Sequence, residues 1–360
     1  MSEQVQAKPV ADGSSPGGGS RTHAANGQGP LNGQAHKDVF TCKVWREGQV
    51  VQEDFPFHEL SDKLCEENSL VWMDVQAPDH HRLQELADEL SLDPNAIEDA
   101  VSAQERPKTT RYAEHTFVTA YAAYLSKDSA ELQTPRISAF LVGNALITVR
   151  NSDEFDMHPV IARWHENAKL LKHGVHGLMH GLLDVIVDSH FDAVQNMDDQ
   201  LEDLEDSLFD EKPLSRQVQR AAFERRKALV ALRRIVLPMR EVVSGLMRQL
   251  DPNDAELMSY YQDLYDHVLR ASEWTESLRD MVSTIFETNL SLSDTRMNEI
   301  MKKLTSWAAI IAVPTAVTGF FGQNVPYPGY GHWSGFLISS LIIVLLAGAL
   351  YIGFRRREWL

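Results

Sequence analysis

The hydrophobic pattern of this 360-residue chain changes period part-way along its length. Up to about residue 165 the apolar positions come in short runs rich in β-branched and aromatic side chains, at 40–45, 70–75, 117–125 and, most strongly, 137–149. Such runs predict strands, and the helical spacing over 80–90 between them makes residues 38–165 a mixed α/β domain. After Trp164 the period is helical for the rest of the chain. Val187, Val194, Met197, Leu201, Leu204 and Leu208 follow at steps of seven, three, four, three and four, which predicts a helix packed along a neighbour. Pro213 breaks that helix, and a second is predicted over about 215–249.

Asp251-Pro252-Asn253-Asp254 reads as a turn that opens a further helix, with proline in the first turn and acids facing the helix dipole. No breaker follows before Pro314. A helix over 252–321 has about 70 residues and a length of about 105 Å, too long to be buried in one small domain. Its far end enters the most unusual stretch of the sequence. Across residues 304–354, 51 consecutive positions hold no Asp, Glu, Lys or Arg.

Two segments of that stretch, 304–321 and 335–354, approach the roughly 20 apolar residues needed to cross a hydrocarbon core of about 30 Å. Only 322–334 separates them, so they form a hairpin. Lys302 and Lys303 precede the first span, and Arg355, Arg356 and Arg357 follow the second within the basic tail 355–360, while the connecting loop has no fixed charge. Both termini are therefore expected in the cytosol and the loop outside. Trp307, Trp333 and Trp359, with Tyr327 and Tyr330, supply interfacial aromatic rings. A plain two-helix anchor for a cytosolic domain would share these features.

Charge and composition exclude several classes. With 51 acidic and 34 basic side chains the formal net charge is −17, which disfavours nucleic acid as a partner. Cys42 and Cys65 are the only cysteines, too far apart for a CxxC pair and too few for a disulfide framework or a thiolate zinc site, which fits a reducing cytosolic setting. Residues 1–37 are rich in Gly, Ser, Ala and Pro without an apolar signal core, and read as a disordered tail. No HExxH, nucleophile elbow or phosphate-binding loop occurs, so neither an enzyme nor an organic cofactor is expected.

Two charge features leave alternatives open. Acids such as Asp198, Asp199, Glu202 and Asp203 crowd one predicted helix, while Arg225, Arg226, Lys227, Arg233 and Arg234 stud the next. An antiparallel hairpin would set them side by side, either as rim salt bridges or as a field that concentrates cations near a pore mouth. His173, His176 and His180 sit at helical steps of three and four, as transition-metal ligands on one face or as packed and solvated side chains.

Asn298, Met301, Thr305, Ala308, Ala312, Thr315, Gly319 and Gly322 recur at alternating steps of three and four, and so share one face of the long helix. A stripe facing lipid would be Leu, Ile and Phe. This one is small, hydroxylated or amide-bearing apart from Met301. Small residues permit close helix packing. Alternatively, several copies around an axis would set the stripe along a narrow, weakly polar pore, and two spans per chain then require a cyclic homo-oligomer.

At Gly322-Gln323-Asn324 the sequence resembles the CorA family of divalent-cation channels and transporters, whose signature there is Gly-Met-Asn, with Gln323 replacing the Met. The resemblance extends over about 38–360. It includes Asn298, Leu304-Thr305, Pro314-Thr315, Gly319, the terminal Arg355-Arg356-Arg357-Glu358-Trp359-Leu360, and a cytosolic stretch from Leu92 to Asp99 followed by Gln104-Glu105-Arg106-Pro107-Lys108.

The resemblance implies an α+β architecture: a funnel-shaped cytosolic α/β/α domain, a helical hairpin and long helical stalk over 166–303, and a two-helix transmembrane hairpin. It further implies a homopentameric channel in the cell (inner or plasma) membrane, with the lipid bilayer, divalent cations and its own copies as partners. Mg2+ is implied as both transported and regulatory ion, often with Co2+ or Ni2+ as further cargo. Gly322, Gln323 and Asn324 are then the selectivity filter in the outer loop 322–334. Asn298, Met301, Leu304, Thr305, Ala308, Ala312, Thr315 and Gly319 line the pore, Met301 and Leu304 as its apolar constriction, and Glu287 takes the position of an acidic pore residue. Asp99 and Asp263 become the regulatory carboxylates that hold the channel shut when cytosolic Mg2+ is abundant.

Neutral oxygens at the mouth suit an ion that sheds its waters reluctantly. A membrane potential of about 100 mV would drive a divalent ion inward by about 4.6 kcal/mol. The loop after the signature, often acidic in the family, is neutral over 325–332, which weakens cation attraction at the outer mouth. A Zn2+ transporter of the same superfamily and a non-conducting, membrane-anchored helical sensor are the alternatives.

Overall fold

The structure is a computed structural model that describes residues 40–66, 68–78, 80–102, 105–126, 131–207, 216–323 and 325–360. The apolar runs form strands β1 (Phe40–Arg46), β2 (Gln49–Glu53), β3 (Ser69–Gln76), β4 (Lys108–Arg111), β5 (His115–Tyr121), β6 (Tyr124–Leu125), β7 (Leu132–Gln133), β8 (Arg136–Val142) and β9 (Ala145–Arg150). Seven build one sheet in the order β2-β1-β3-β9-β8-β5-β4, and β6 pairs with β7. Only β3 and β9 run parallel; the other neighbours are antiparallel. The run 137–149 is two strands, because the chain reverses at Gly143-Asn144, where Gly143 takes φ +52°. The run 117–125 also divides, with β5 ending at Tyr121 and β6 beginning at Tyr124.

Both faces of the sheet are covered, which is why β3 is buried along almost its whole length. Val71, Met73 and Val75 pack with α1 (Leu60–Cys65), α2 (His80–Leu90) and α3 (Pro94–Val101). The alternate residues Leu70 and Trp72 join the opposite core, built from α4 (His158–Glu166), α5 (Val175–Asp206) and later helices. There Trp164 stands edge-on to Trp45 and Trp72, with ring centroids 5.8 and 5.1 Å away, and its indole N–H donates to Leu178 O at 2.9 Å. Asp74, the one acid inside β3, is satisfied by Thr148 Oγ1 at 2.6 Å and by Arg150 Nε at 3.0 Å.

The predicted helix over 215–249 is two helices, α6 (Arg216–Val236) and α7 (Met239–Met247), because Pro238 cannot continue the ladder. The single long helix is present as α8 (Ala255–Phe321), capped where Asp254 Oδ1 accepts the Leu257 N–H at 3.0 Å. Leu257, Tyr261, Leu264, Val268, Ala271, Thr275, Leu278, Val282 and Ile285 are buried at steps of three and four, so the first half of α8 packs on α5, α6 and α7. Beyond Ile285 the only buried residue of α8 is Ser306, and the helix leaves the core. It then meets α9 (Trp333–Arg356), the second apolar helix. The α/β/α layers, the long helix and the two apolar helices are the fold class expected.

The two charged helices α5 and α6 pack side by side. Among the described residues no acid of α5 pairs with a basic residue of α6, and Arg233 of α6 pairs instead with Glu276 of α8 at 2.7 Å. The connection expected near Pro213 lies outside the described residues, as does Leu208.

Candidate functional site: an ion pathway along α8

The last 18 residues of α8 and the whole of α9 are long and apolar enough to cross a membrane, with mean hydropathy of 1.6 and 2.4 over their most apolar windows. Proline at 314 does not end the helix. Thr318 Oγ1 donates to Pro314 O at 2.8 Å and to Thr315 O at 3.2 Å, and Thr315 Oγ1 donates to Ile311 O at 3.1 Å. These are bonds back to carbonyls of the preceding turn, of the kind threonine hydroxyls make within helices. Their protons are committed to the helix, so the outward lone pairs can accept from the water shell of a cation.

The structure brings the predicted stripe to one surface. Asn298, Met301, Leu304, Thr305, Ala308, Ala312, Thr315, Gly319 and Gly322 are all exposed in the single chain, as is Glu287 further up the helix. Ser306, Ala309, Ile310, Val313, Pro314, Val317 and Phe321 are the less exposed positions of the span. At 3.6 residues per turn the centres of the two sets lie about half a turn apart, so the stripe faces away from the covered side. A Cβ placed on Gly319 would meet nothing within 4 Å. The small size of this residue is therefore not required by packing within the chain. Met301 and Leu304 are the large apolar members, 51% and 61% exposed.

Gly322 closes α8 at its C-terminal end, its N–H donating to Thr318 O at 2.8 Å, and Gln323 is exposed. Asn324, the third signature residue, lies outside the described residues. The loop is pinned beside this point: Tyr327 Oη donates to Phe321 O at 2.9 Å, and the Tyr327 ring sits edge-on to Phe321 at 5.0 Å. Gly329 and Gly335 pack backbone to backbone, where a Cβ on Gly335 would come within 2.5 Å of Gly329 O.

The proposed regulatory carboxylates make separate contacts within one chain. Asp99 lies 2.7 Å from Lys108 Nζ, which Glu105 also approaches at 2.9 Å. Burial opposes the ammonium charge, but these two acids raise the Lys108 pKa on balance. Asp263 is exposed, with His267 Nε2 at 4.0 Å. Among the described residues no group of three His, Cys, Asp or Glu side chains could hold a metal.

The three histidines make separate contacts and belong to no metal-holding group among the described residues. His173 Nδ1 meets Asp254 Oδ2 at 2.6 Å, His180 Nε2 donates to Tyr260 O at 3.1 Å, and the Tyr261 hydroxyl donates to His176 O at 3.0 Å. Burial holds His176 and His180 below the usual imidazole pKa. The Lys108 contact and the threonine back-bonding were not anticipated from sequence; the Pro314-Thr315 pair was the available signal for the latter.

Known proteins match this arrangement along most of its length. The model of the CorA-like Mg2+ transporter protein family matches residues 67–356. The chain is 29% identical over 283 residues to the cobalt/magnesium transport protein CorA of Thermotoga maritima, covering 77% of this chain and 80% of that one. It is 27% identical over 331 residues to the cobalt/magnesium transport protein CorA of Methanocaldococcus jannaschii, covering 89% and 100%. The solved complete structure of the CorA magnesium transporter from M. jannaschii superposes with a TM-score of 0.71 at 25% identity, covering 89% of this chain and 99% of that one. The chain, with its α/β/α domain, long helix and pair of apolar helices, therefore belongs to the CorA-like Mg2+ transporter family.

Proposed function

We propose that this family member conducts Mg2+, with Co2+ and Ni2+ as further cargo, passively into the cell through a homopentamer that closes when cytosolic Mg2+ binds. The observation that carries this reading is the stripe of small and polar residues on the side of α8 opposite its covered face, with Gly319 free of any packing duty within the chain. Copies arranged around an axis, stripes inward and α9 outward, give a path of Thr, Ala and Gly with Asn298 at the inner end. Thr315 offers hydroxyl lone pairs to a hydrated ion, and Met301 with Leu304 forms an apolar ring that gates by dewetting. Glu287 adds an acidic ring further inward.

At the mouth, backbone carbonyls of Gly322 and Gln323 and the Asn324 amide meet the hydration shell. Neutral donors suit an ion that dehydrates reluctantly and must also leave. The family consists of transporters rather than enzymes, and an inside-negative potential supplies the driving force. Both termini lie in the cytosol in this reading, because Lys302, Lys303 and Arg355–Arg357 flank the spans on one side. The regulatory ion sits between copies, with Asp99 from one and Asp263 from its neighbour.

Proteoliposomes loaded with a Mg2+-sensitive dye test the reading. Influx should follow an imposed inside-negative potential without a proton gradient. The same assay with Zn2+ under a proton gradient separates proton-coupled zinc transport, which would show uptake only in that arm.

A further inference from the structure

A cleft of about 620 Å3 opens between β4, α7 and the first third of α8. Its walls carry three guanidinium groups, from Arg106, Arg240 and Arg248, with Ser244 and Tyr265 beside them. Among the described residues no carboxylate forms an ion pair with any of the three. Arg248 Nη1 donates to Ser244 Oγ at 2.8 Å, which leaves the serine proton available. Lys108 also lines the cleft but is engaged by Asp99 and Glu105, and Glu241 is the one acid on the wall. The cleft exists because α7 comes close to β4, where a Cβ on Gly245 would stand 3.2 Å from Thr109 Cβ and Thr109 Oγ1 donates to Val242 O at 3.2 Å.

We propose that this cleft binds a soluble polyphosphate-bearing small molecule, of the nucleoside triphosphate class. The chain carries 51 acids against 34 basic side chains, so three arginines in one cleft with no ion pair among the described residues run against its overall balance. Guanidinium forks match phosphate oxygens two at a time, and three such forks suit several linked phosphates better than a single carboxylate. The volume is that of a small-molecule site. A lipid headgroup is out of reach, because Tyr265 on the cleft wall is about 60 Å along α8 from the first apolar span at 1.5 Å per residue. Bound there, the anion would tie the sheet edge to the helix that continues into the membrane.

Isothermal titration calorimetry of the full-length protein in nanodiscs, in EDTA so that chelation of Mg2+ does not enter, tests this directly with ATP and inorganic tripolyphosphate as probes. The expected result is saturable binding of ATP, weakened by added salt, and at least about tenfold weaker in the Arg240→Glu, Arg248→Glu double variant but unchanged in Arg220→Gln on α6. Should the double variant fail to fold, Arg106→Gln alone, an exposed side chain, should still weaken binding several-fold. Tripolyphosphate binding as tightly as ATP assigns the affinity to the phosphates; weaker binding assigns part to the nucleoside. Absence of saturable ATP binding, or binding that none of these arginine substitutions weakens, overturns the proposal. The readout is binding alone, so it stands or falls separately from ion conduction.

Discussion

The Lys108 ammonium lies 2.7 Å from the Asp99 carboxylate, so an acid assigned to regulatory Mg2+ is already partnered within its own chain. A cation arriving at Asp99 must compete with that ammonium. Replacing Lys108 with Gln removes the competitor, and the Mg2+ concentration that half-closes the channel should fall several-fold, whereas Asp263→Ala should raise it. Flux dose–response curves check both. An unchanged curve in Lys108→Gln would remove Asp99 from the sensor.

Gly319→Leu separates conduction from folding. The side chain enters space that is empty within the chain, so thermal unfolding should be unchanged, while a leucine in each copy would obstruct the path and lower flux more than tenfold. Val344→Leu, at an exposed position of α9, serves as the control and should conduct normally.

Stability should be sensitive at the start of α5. A Cβ on Gly177 would stand 1.9 Å from Leu170 O, a backbone atom that cannot swing aside. Gly177→Ala should therefore cost at least about 2 kcal/mol, read as a lowered unfolding midpoint. Gly348→Ala, where nothing lies within 4 Å, should be neutral or slightly stabilising.

His190 predicts an acid limb in stability. It is 1% exposed, its Nε2–H donates to Tyr121 O at 2.7 Å, and burial pushes its pKa down to about 4 from 6.5. The folded state then holds fewer protons than the unfolded state between those values. The contribution is complete above about pH 6.5 and is lost as pH falls to about 4, a total of about 3 kcal/mol. Unfolding measured across this range should lose part of its slope in His190→Gln.

The parts of the fold that were legible in the sequence are those with strong periodicity. The long helix was expected over 252–321 and runs from Ala255 to Phe321, because Asp254 supplies a cap, its buried face repeats as far as Ile285 and no breaker precedes Pro314. Edge strands β2 and β4 were not expected: Gln49–Glu53 and Lys108–Arg111 are mostly polar, and only pairing with β1 and β5 makes them strands. The proline at 238 ends a helix, whereas the proline at 314 lies inside α8. The stripe was legible because it follows the helical period. The Lys108–Asp99 contact was not, since it depends on how the segment after α3 folds back towards β4.

The most direct test of the account is Mg2+ influx into proteoliposomes under an imposed inside-negative potential with no proton gradient, comparing the natural sequence with Asn324→Ala. The account predicts potential-dependent uptake that Asn324→Ala reduces at least about tenfold while assembly is retained. No uptake, uptake that requires a proton gradient, or uptake unaffected by Asn324→Ala would contradict it.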